Sequence, residues 1–351
     1  MSVTLLQRLA GASAPPLIVA EMSGNHNGDL ERALAIVDAA AEAGAHALKI
    51  QTYTADTMTI DSRKPGFVIE DEGSLWAGRN LYDLYAEAHT PWDWHAPIFD
   101  RCKAHGMLGF SAPFDPTAVD FLESLGVELY KIASFEIVDI PLIKKVAATG
   151  KPLIISTGMS SPQEIDEAVA AARGQGNDQV ILLKCTSSYP APPDATHISA
   201  IPTLAERYGV MAGLSDHTHG IGVAVASVAF GARVIEKHFT LSRADGGVDS
   251  AFSLEPAELK ALVEETDRAW RAIGTPELGM RPVEEASLNF RRSLYIVKDA
   301  KAGEVLSREN LRPIRPGFGL KPKHFEALLG RQLVQDAEAG TPMSWDLVGG
   351  E

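Results

Sequence analysis

The sequence predicts an α/β protein, a TIM (β/α)8 barrel with a small C-terminal β-rich domain. Three observations carry that expectation. From Leu17 onward, short apolar runs alternate with amphipathic stretches, the pattern of parallel strands joined by crossover helices. Eight such runs fill about 250 residues, the number and length of a barrel, whereas a doubly wound sheet usually has fewer strands. Past residue 290 the alternation gives way to turn-rich sequence with short β-like runs.

The eight runs are LIVAEMS (17–23), HALKIQTY (46–53), GMLGFSA (106–112), ELYKIAS (128–134), PLIISTG (152–158), VILLKCTS (180–187), GVMAGLSD (209–216) and RVIEKHFT (233–240). Each ends in polar residues, and the C-terminal strand ends of such barrels carry the chemistry. Between the first two, Leu30, Leu34, Val37 and Ala41 recur at helical spacing, with Asp29 placed to cap the helix. One connection, residues 54–90, is abnormally long and contains Trp76, Asn80, Tyr82, Tyr85 and His89. Loops of that length are often lids or binding loops; for any single residue, a surface excursion without substrate contact is an equal reading.

The last barrel helix is expected at about 256–272. IGTPELGMRPVEEASLNF (273–290) has no clear apolar period and reads as a linker. A β-rich module then spans 291–351, with SLYIVKDA, LVQDAEAGTPM and KAGEVLSRENLRPIRPGFGL as its β-like and turn-rich segments. At that size it is marginal alone and is expected to dock onto something. The expected division is thus 1–272, 273–290 and 291–351.

With 45% hydrophobic and 22% charged residues, the chain can bury a large core. A formal charge of −14 argues against nucleic acid or an anionic membrane as partner, since both reward a basic face. No stretch reads as a transmembrane helix or a signal peptide, and only Cys102 and Cys185 occur, so a reduced, cytoplasmic protein is expected. Neither cysteine has CxxC spacing, and each reads as a small buried apolar side chain before it reads as a nucleophile.

Local positive charge or metal must therefore serve any anionic substrate. His217 in GLSDHTHG and His238 in EKHF end the last two runs, and neighbouring strands lie ~4.8 Å apart, so the pair could converge on one ion. Taken singly, each is more readily structural. Two imidazoles would leave most of an Mg²⁺ or Mn²⁺ shell to water and substrate oxygens. Ser215 shares a face with His217, and Glu236 with His238.

Lys49 and Lys131 lie inside apolar runs, where an unpaired ammonium is expensive. Each needs an anion: an internal carboxylate such as Glu21 or Glu136, or an anionic ligand at the barrel mouth. In the second case Gln51 shares the face of Lys49, while Ser134, Ser156 and Thr157 offer hydroxyls. Glu21, inside the first run, could act as a base or orient water. Asn25, His26 and Asn27 read equally as a turn before Asp29 and as ligand contacts.

The segments IVAEMSGNHNGDLERAL, ALKIQTYTADTMTI, LWAGRNLYDLYAEAHTPWDWH, YKIAS, STGM, GLSDHT, EKHF, RRSLY and IRPGFGL resemble, in order, the sialic acid synthase family, and most closely its pseudaminic acid branch. That resemblance implies a barrel followed by an antifreeze-like SAF domain, paired in a domain-swapped homodimer whose SAF domain reaches the partner's active site. It implies condensation of phosphoenolpyruvate with an acetamido sugar, for this branch 2,4-diacetamido-2,4,6-trideoxy-L-altropyranose. By the family pattern His217 and His238 would hold Mn²⁺, Co²⁺ or Mg²⁺. Glu21, Lys49 and Lys131 would be catalytic, and Lys49, Gln51, Lys131, Ser156 and Ser215 would bind phosphoenolpyruvate, joined by Ser134 from its own place at the barrel mouth. Tyr189, Asp249 and the SAF-domain Arg315 would face the sugar, joined by Trp76 and Asn80 of the aromatic loop. As a local reading, Arg315 is a solvated loop arginine.

Ser187 stands where the sialic acid branch usually has Asn, and Asp249-Ser250 where it has Asp-His, so sugar specificity should differ. The competing enzyme readings are N-acetylneuraminic or legionaminic acid synthesis, then a sugar-phosphate synthase, for which residues 54–90 offer only Arg63, Lys64 and Arg79 as cations. From another class, the chain could be a non-catalytic carbohydrate-binding or regulatory barrel.

Overall fold

In the computed structural model, which describes residues 14–349, eight strands close a barrel in chain order. They are β1 (Leu17–Glu21), β2 (Ala47–Thr52), β3 (Leu108–Pro113), β4 (Tyr130–Ile132), β5 (Leu153–Ser156), β6 (Val180–Cys185), β7 (Met211–Asp216) and β8 (Val234–His238). All neighbours run parallel, and β8 returns to β1 with Glu21 in register with His238. Each predicted run matches one strand, β3 running one residue past its run to Pro113.

The strands are apolar on both faces because both are covered. Outward residues such as Ile18, Leu48, Ile155, Leu182 and Ile235 join the helices in one buried cluster. Inward residues, among them Val19, Ala47, Leu129, Ile154, Leu183 and Val234, fill the barrel as a second cluster. Two residues farther along the same strands, the inward series turns polar: Glu21, Lys49, Lys131, Ser156, Cys185 and Glu236. This change of chemistry at one level of the barrel positions the candidate site. On β7 the inward series passes through Gly213, where a Cβ would lie 2.1 Å from the Val234 carbonyl oxygen, so glycine is required for β7 and β8 to approach.

The helix Leu30–Glu42 starts as expected, the Asp29 carboxylate accepting the Glu31 N–H at 2.9 Å. Its buried face is Ala33, Ile36, Val37 and Ala40, rotated from the predicted stripe. Small residues let the helix sit close to the sheet, while Leu34 and Ala41 pack at its margins. The long connection carries the helices Ala55–Met58 and Leu81–Ala88 and an antiparallel bridge between Val68 and Asn80.

The chain divides into two compact units, Met1–Gly274 and Thr275–Glu351. The helix Pro256–Ile273 ends the first. In the second, exposed 3-10 turns over Pro282–Phe290 precede an antiparallel pair, β9 (Ser293–Ile296) and β10 (Leu311–Ile314). Its own core includes Leu294, Ile296, Leu306, Leu311, Leu333 and Met343. The segment LVQDAEAGTPM makes isolated bridges at Ala337 and Pro342 and no strand. Pro342 has no N–H to donate, and Gly340 turns the backbone at φ +94°. Among the described residues, no helix is long and apolar enough to cross a membrane.

Candidate active site

The polar layer is a connected ionic network. Lys49 Nζ lies 3.0 Å from Glu21 Oε2 and 3.6 Å from Glu236 Oε1, and Lys131 Nζ donates to the same Glu236 oxygen at 3.1 Å. All four side chains are buried. Lys49 thus has Glu21 as its internal partner, but Lys131 takes Glu236 and leaves Glu136 out. The reason is geometric: Lys131 and Glu236 both point into the barrel, whereas Glu136 sits on the 3-10 turn Ser134–Val138 beyond β4. Burial pushes Glu136 up to about 7, and its Oε2 has no hydrogen bond.

Burial also raises Glu21 above the usual carboxylate range despite Lys49. Burial would raise Glu236 too, but Lys131 and Lys49 outweigh it and hold that carboxyl at about 2. Gln51 Nε2 donates to Glu21 Oε1 at 2.9 Å and to Ser23 Oγ at 3.0 Å, while Glu21 Oε2 has the ion pair with Lys49 and no hydrogen bond. Ser215 Oγ donates weakly to Glu236 at 3.4 Å. Ser156 Oγ is buried with no hydrogen-bond partner, a hydroxyl available to a ligand.

His217 and His238 come together just beyond this layer, ring centroids 5.4 Å apart. His217 Nδ1 lies 3.0 Å from the Thr186 carbonyl oxygen, which can only accept, so Nδ1 carries a proton and Nε2 is the ligand atom once the ring is neutral; against burial, the contact with Cys185 raises this imidazole above its ordinary value. His238 is held well below its ordinary value by burial and by neighbouring positive groups, and stays neutral. Its Nδ1 is buried without a hydrogen bond, 3.8 Å from Asp249 Oδ2. Among the described residues, no group of three or more His, Cys, Asp or Glu side chains is arranged to hold an ion. The arrangement is a two-histidine one.

Trp76, from the long connection, reaches this mouth: its ring centroid is 5.7 Å from that of Tyr189, and Nε1 donates to the Val248 carbonyl at 2.9 Å. Tyr189 in turn packs on His217 at 4.5 Å. Asn80 is not brought to the cluster. Its amide donates to the Ser62 and Phe67 carbonyls and its oxygen caps the helix Leu81–Ala88, so it holds the loop's own shape. Arg315 is exposed in the second unit. Asn25 acts as a tie, its buried Nδ2 donating to Phe239 O and Ser253 Oγ and so joining the loops after β1 and β8.

Residues 36–277 match the family model described as the NeuB family, and residues 291–349 match that of the SAF domain. The chain belongs to the NeuB family. This NeuB-family chain is 43% identical to a Campylobacter jejuni protein named pseudaminic acid synthase, over 92% of this chain and 94% of that one. It is 37% identical to a protein of the same species named N,N'-diacetyllegionaminic acid synthase, over 90% and 95%. Among solved structures, an N-acetylneuraminic acid (sialic acid) synthetase from Leptospira borgpetersenii, in complex with citrate, superposes with TM-score 0.69 at 34% identity, covering 79% of this chain and 91% of that one.

Two members of this NeuB-family site are not evident from the sequence. Glu236 is noticeable there only as sharing a face with His238, yet it is the common counter-ion of both lysines. Cys185 reads as a small apolar residue, as Cys102 is, but it faces inward: Ser134 Oγ donates to its Sγ at 3.2 Å, and His217 Nδ1 lies 4.0 Å away. Burial would raise this thiol, but His217, Ser134 and Lys131 together outweigh it and hold it at about 6. The inward register of β6, with Leu183 two residues earlier, was the available signal.

Proposed function

We propose that this chain is a pseudaminic acid synthase, condensing phosphoenolpyruvate with 2,4-diacetamido-2,4,6-trideoxy-L-altropyranose and water to give pseudaminic acid and phosphate. The observation that carries the reading is the buried Lys49–Glu236–Lys131 bridge in the same polar layer as Glu21 and the unpartnered Ser156 hydroxyl, with both histidines just beyond it. The greater likeness to the Campylobacter pseudaminic acid synthase than to the legionaminic one favours this sugar.

On this reading Lys49, Lys131 and Ser156, with Ser134, Ser215 and Gln51, take the carboxylate and phosphate of phosphoenolpyruvate. Its C3 attacks the C1 aldehyde of the open-chain sugar: the C–C bond forms as the aldehyde π bond breaks, the aldehyde oxygen takes a proton to become a hydroxyl, and C2 is left electron-poor. Water adds at C2 and gives its proton to Glu21, whose raised affinity for protons and fixed oxygens suit a base. The tetrahedral C2 then expels phosphate by C–O cleavage, and the product closes into a ring. The lysines offset the anionic charge in a site shielded from water.

Two imidazoles, one with its Nδ1 committed and one with an orphaned Nδ1, fit a weakly held divalent ion. His217, through Nε2, and His238 would hold Mn²⁺, Co²⁺ or Mg²⁺, and when bound this ion supplies a Lewis acid for the aldehyde oxygen. The charge balance favours it as well. Glu21 and Glu236 already offset Lys49 and Lys131, so an incoming polyanion needs further positive charge. Arg315 of the neighbouring subunit, in a domain-swapped homodimer, is the second source on this reading.

A sugar-phosphate substrate is disfavoured because Arg63 and Arg79, which would meet the extra phosphate, are paired with Asp83 and Glu87. Phosphate release from phosphoenolpyruvate across a panel of acetamido sugars tests the reading. Sugar-dependent release supports it; sugar binding without release favours a non-catalytic barrel.

A further inference from the structure

The residues that precede the two histidines, Asp216 and Lys237, stand opposite each other in the β7–β8 register, on the outer side of the barrel wall. Their side chains are completely buried and pair at 3.0 Å, Lys237 Nζ to Asp216 Oδ2. The same ammonium donates to the carbonyls of Thr218 at 2.5 Å and Gly220 at 2.9 Å, so all three of its protons are used. Asp216 Oδ1 accepts the Thr218 N–H at 2.9 Å. The backbone on both sides of His217 is thereby tied to the residue next to His238.

We propose that the Asp216–Lys237 pair is a positioning device that sets the separation of His217 and His238 for a divalent cation. A buried ion pair is a weak source of stability, because desolvation cancels much of its attraction. Its geometric effect is strong: the bond fixes where each strand leaves the barrel, and each histidine is the next residue. Groups that orient metal ligands from behind, when removed, weaken metal binding by about 10- to 100-fold. The proposal rests on the two-histidine metal reading given above.

The test uses the full-length protein and Mn²⁺ alone, with free Mn²⁺ followed by electron paramagnetic resonance and no substrate present. Lys237→Met keeps the chain volume and removes the ammonium; Asp216→Asn keeps the shape and removes the charge, guarding against a Lys237 variant that fails to fold. The expected result is Mn²⁺ affinity lowered about 10- to 100-fold in both, with kcat lowered at fixed Mn²⁺ and the KM for phosphoenolpyruvate within about twofold, since Lys49, Lys131 and Ser156 lie outside the pair. A folded variant of either kind that binds Mn²⁺ like the parent overturns the positioning role and leaves the metal reading standing. A parent protein that binds no Mn²⁺ overturns both.

Discussion

Lys131 on β4 and Glu236 on β8, 105 residues apart, meet across the barrel at 3.1 Å, and Lys49 shares the same carboxylate oxygen. β4 and β8 are opposite strands of the eight, so this one bridge spans the barrel interior. It keeps two ammonium groups buried in the absence of substrate, and it is the contact that an incoming anion must compete with.

Lys131→Met should lower kcat/KM about 100- to 1000-fold by removing a preorganised positive group. It should also cost about 3 kcal/mol of stability, because Glu236 keeps only the longer contact to Lys49 and the weak hydrogen bond from Ser215. Glu236→Gln should behave differently. With Lys131 stripped of its counter-ion and Lys49 left to Glu21 alone, its melting temperature should rise more on adding inorganic phosphate than that of the parent. Thermal melts with and without phosphate check both.

Glu21→Gln should lower kcat about 100- to 10,000-fold while leaving phosphoenolpyruvate binding intact or tighter, since it removes a base and a negative charge together. Steady-state kinetics with phosphoenolpyruvate varied at saturating sugar separates the two effects. A rise in KM with kcat unchanged would reassign Glu21 to binding.

Much of this site was legible in the sequence, for a physical reason. An ammonium inside an apolar strand is costly, so Lys49 and Lys131 mark themselves, and their level in the barrel follows from period two. Partners from distant strands are less legible. The Lys131–Glu236 bridge depends on barrel closure, which no local pattern encodes, and Glu136, nearer in sequence, makes no ion pair with Lys131. The buried face of the Leu30–Glu42 helix was misjudged because large residues draw attention where small ones make the contact. Asn80 looked like a sugar ligand from its aromatic neighbours, and only the structure shows both ends of its amide taken up by its own loop.

Mixing Glu21→Gln protein with Arg315→Ala protein tests the swapped dimer. If Arg315 serves the neighbouring subunit, random re-pairing restores about a quarter of parental activity, because one of the two sites in each mixed dimer receives both intact groups. If Arg315 acts within its own chain, the mixture stays as inactive as its parts.

Stability should fall with pH for a reason separate from catalysis. His26 and His95 are fully buried, and burial is the leading cause that lowers each from 6.5 to about 4. Above pH 6.5 both are neutral whether folded or not, and stability is level. As pH falls below 6.5 the unfolded chain takes protons that the folded chain refuses until about 4, so each histidine withdraws about 3 kcal/mol across that window. His95→Gln should remove its own share, about 3 kcal/mol, of the stability change seen in urea melts between pH 6.5 and pH 4, whatever Glu136 and His238 add to the total. An unchanged slope would show that His95 is protonated in the fold.

The most direct test of the condensation itself is the fate of the oxygen that bridges C2 and phosphorus. Phosphoenolpyruvate labelled with ¹⁸O at that position is incubated with 2,4-diacetamido-2,4,6-trideoxy-L-altropyranose and the enzyme, and both products are weighed by mass spectrometry. The account predicts phosphate that retains the label and a sugar product at the mass of pseudaminic acid. No phosphate from any acetamido sugar, or phosphate without the label, would contradict it.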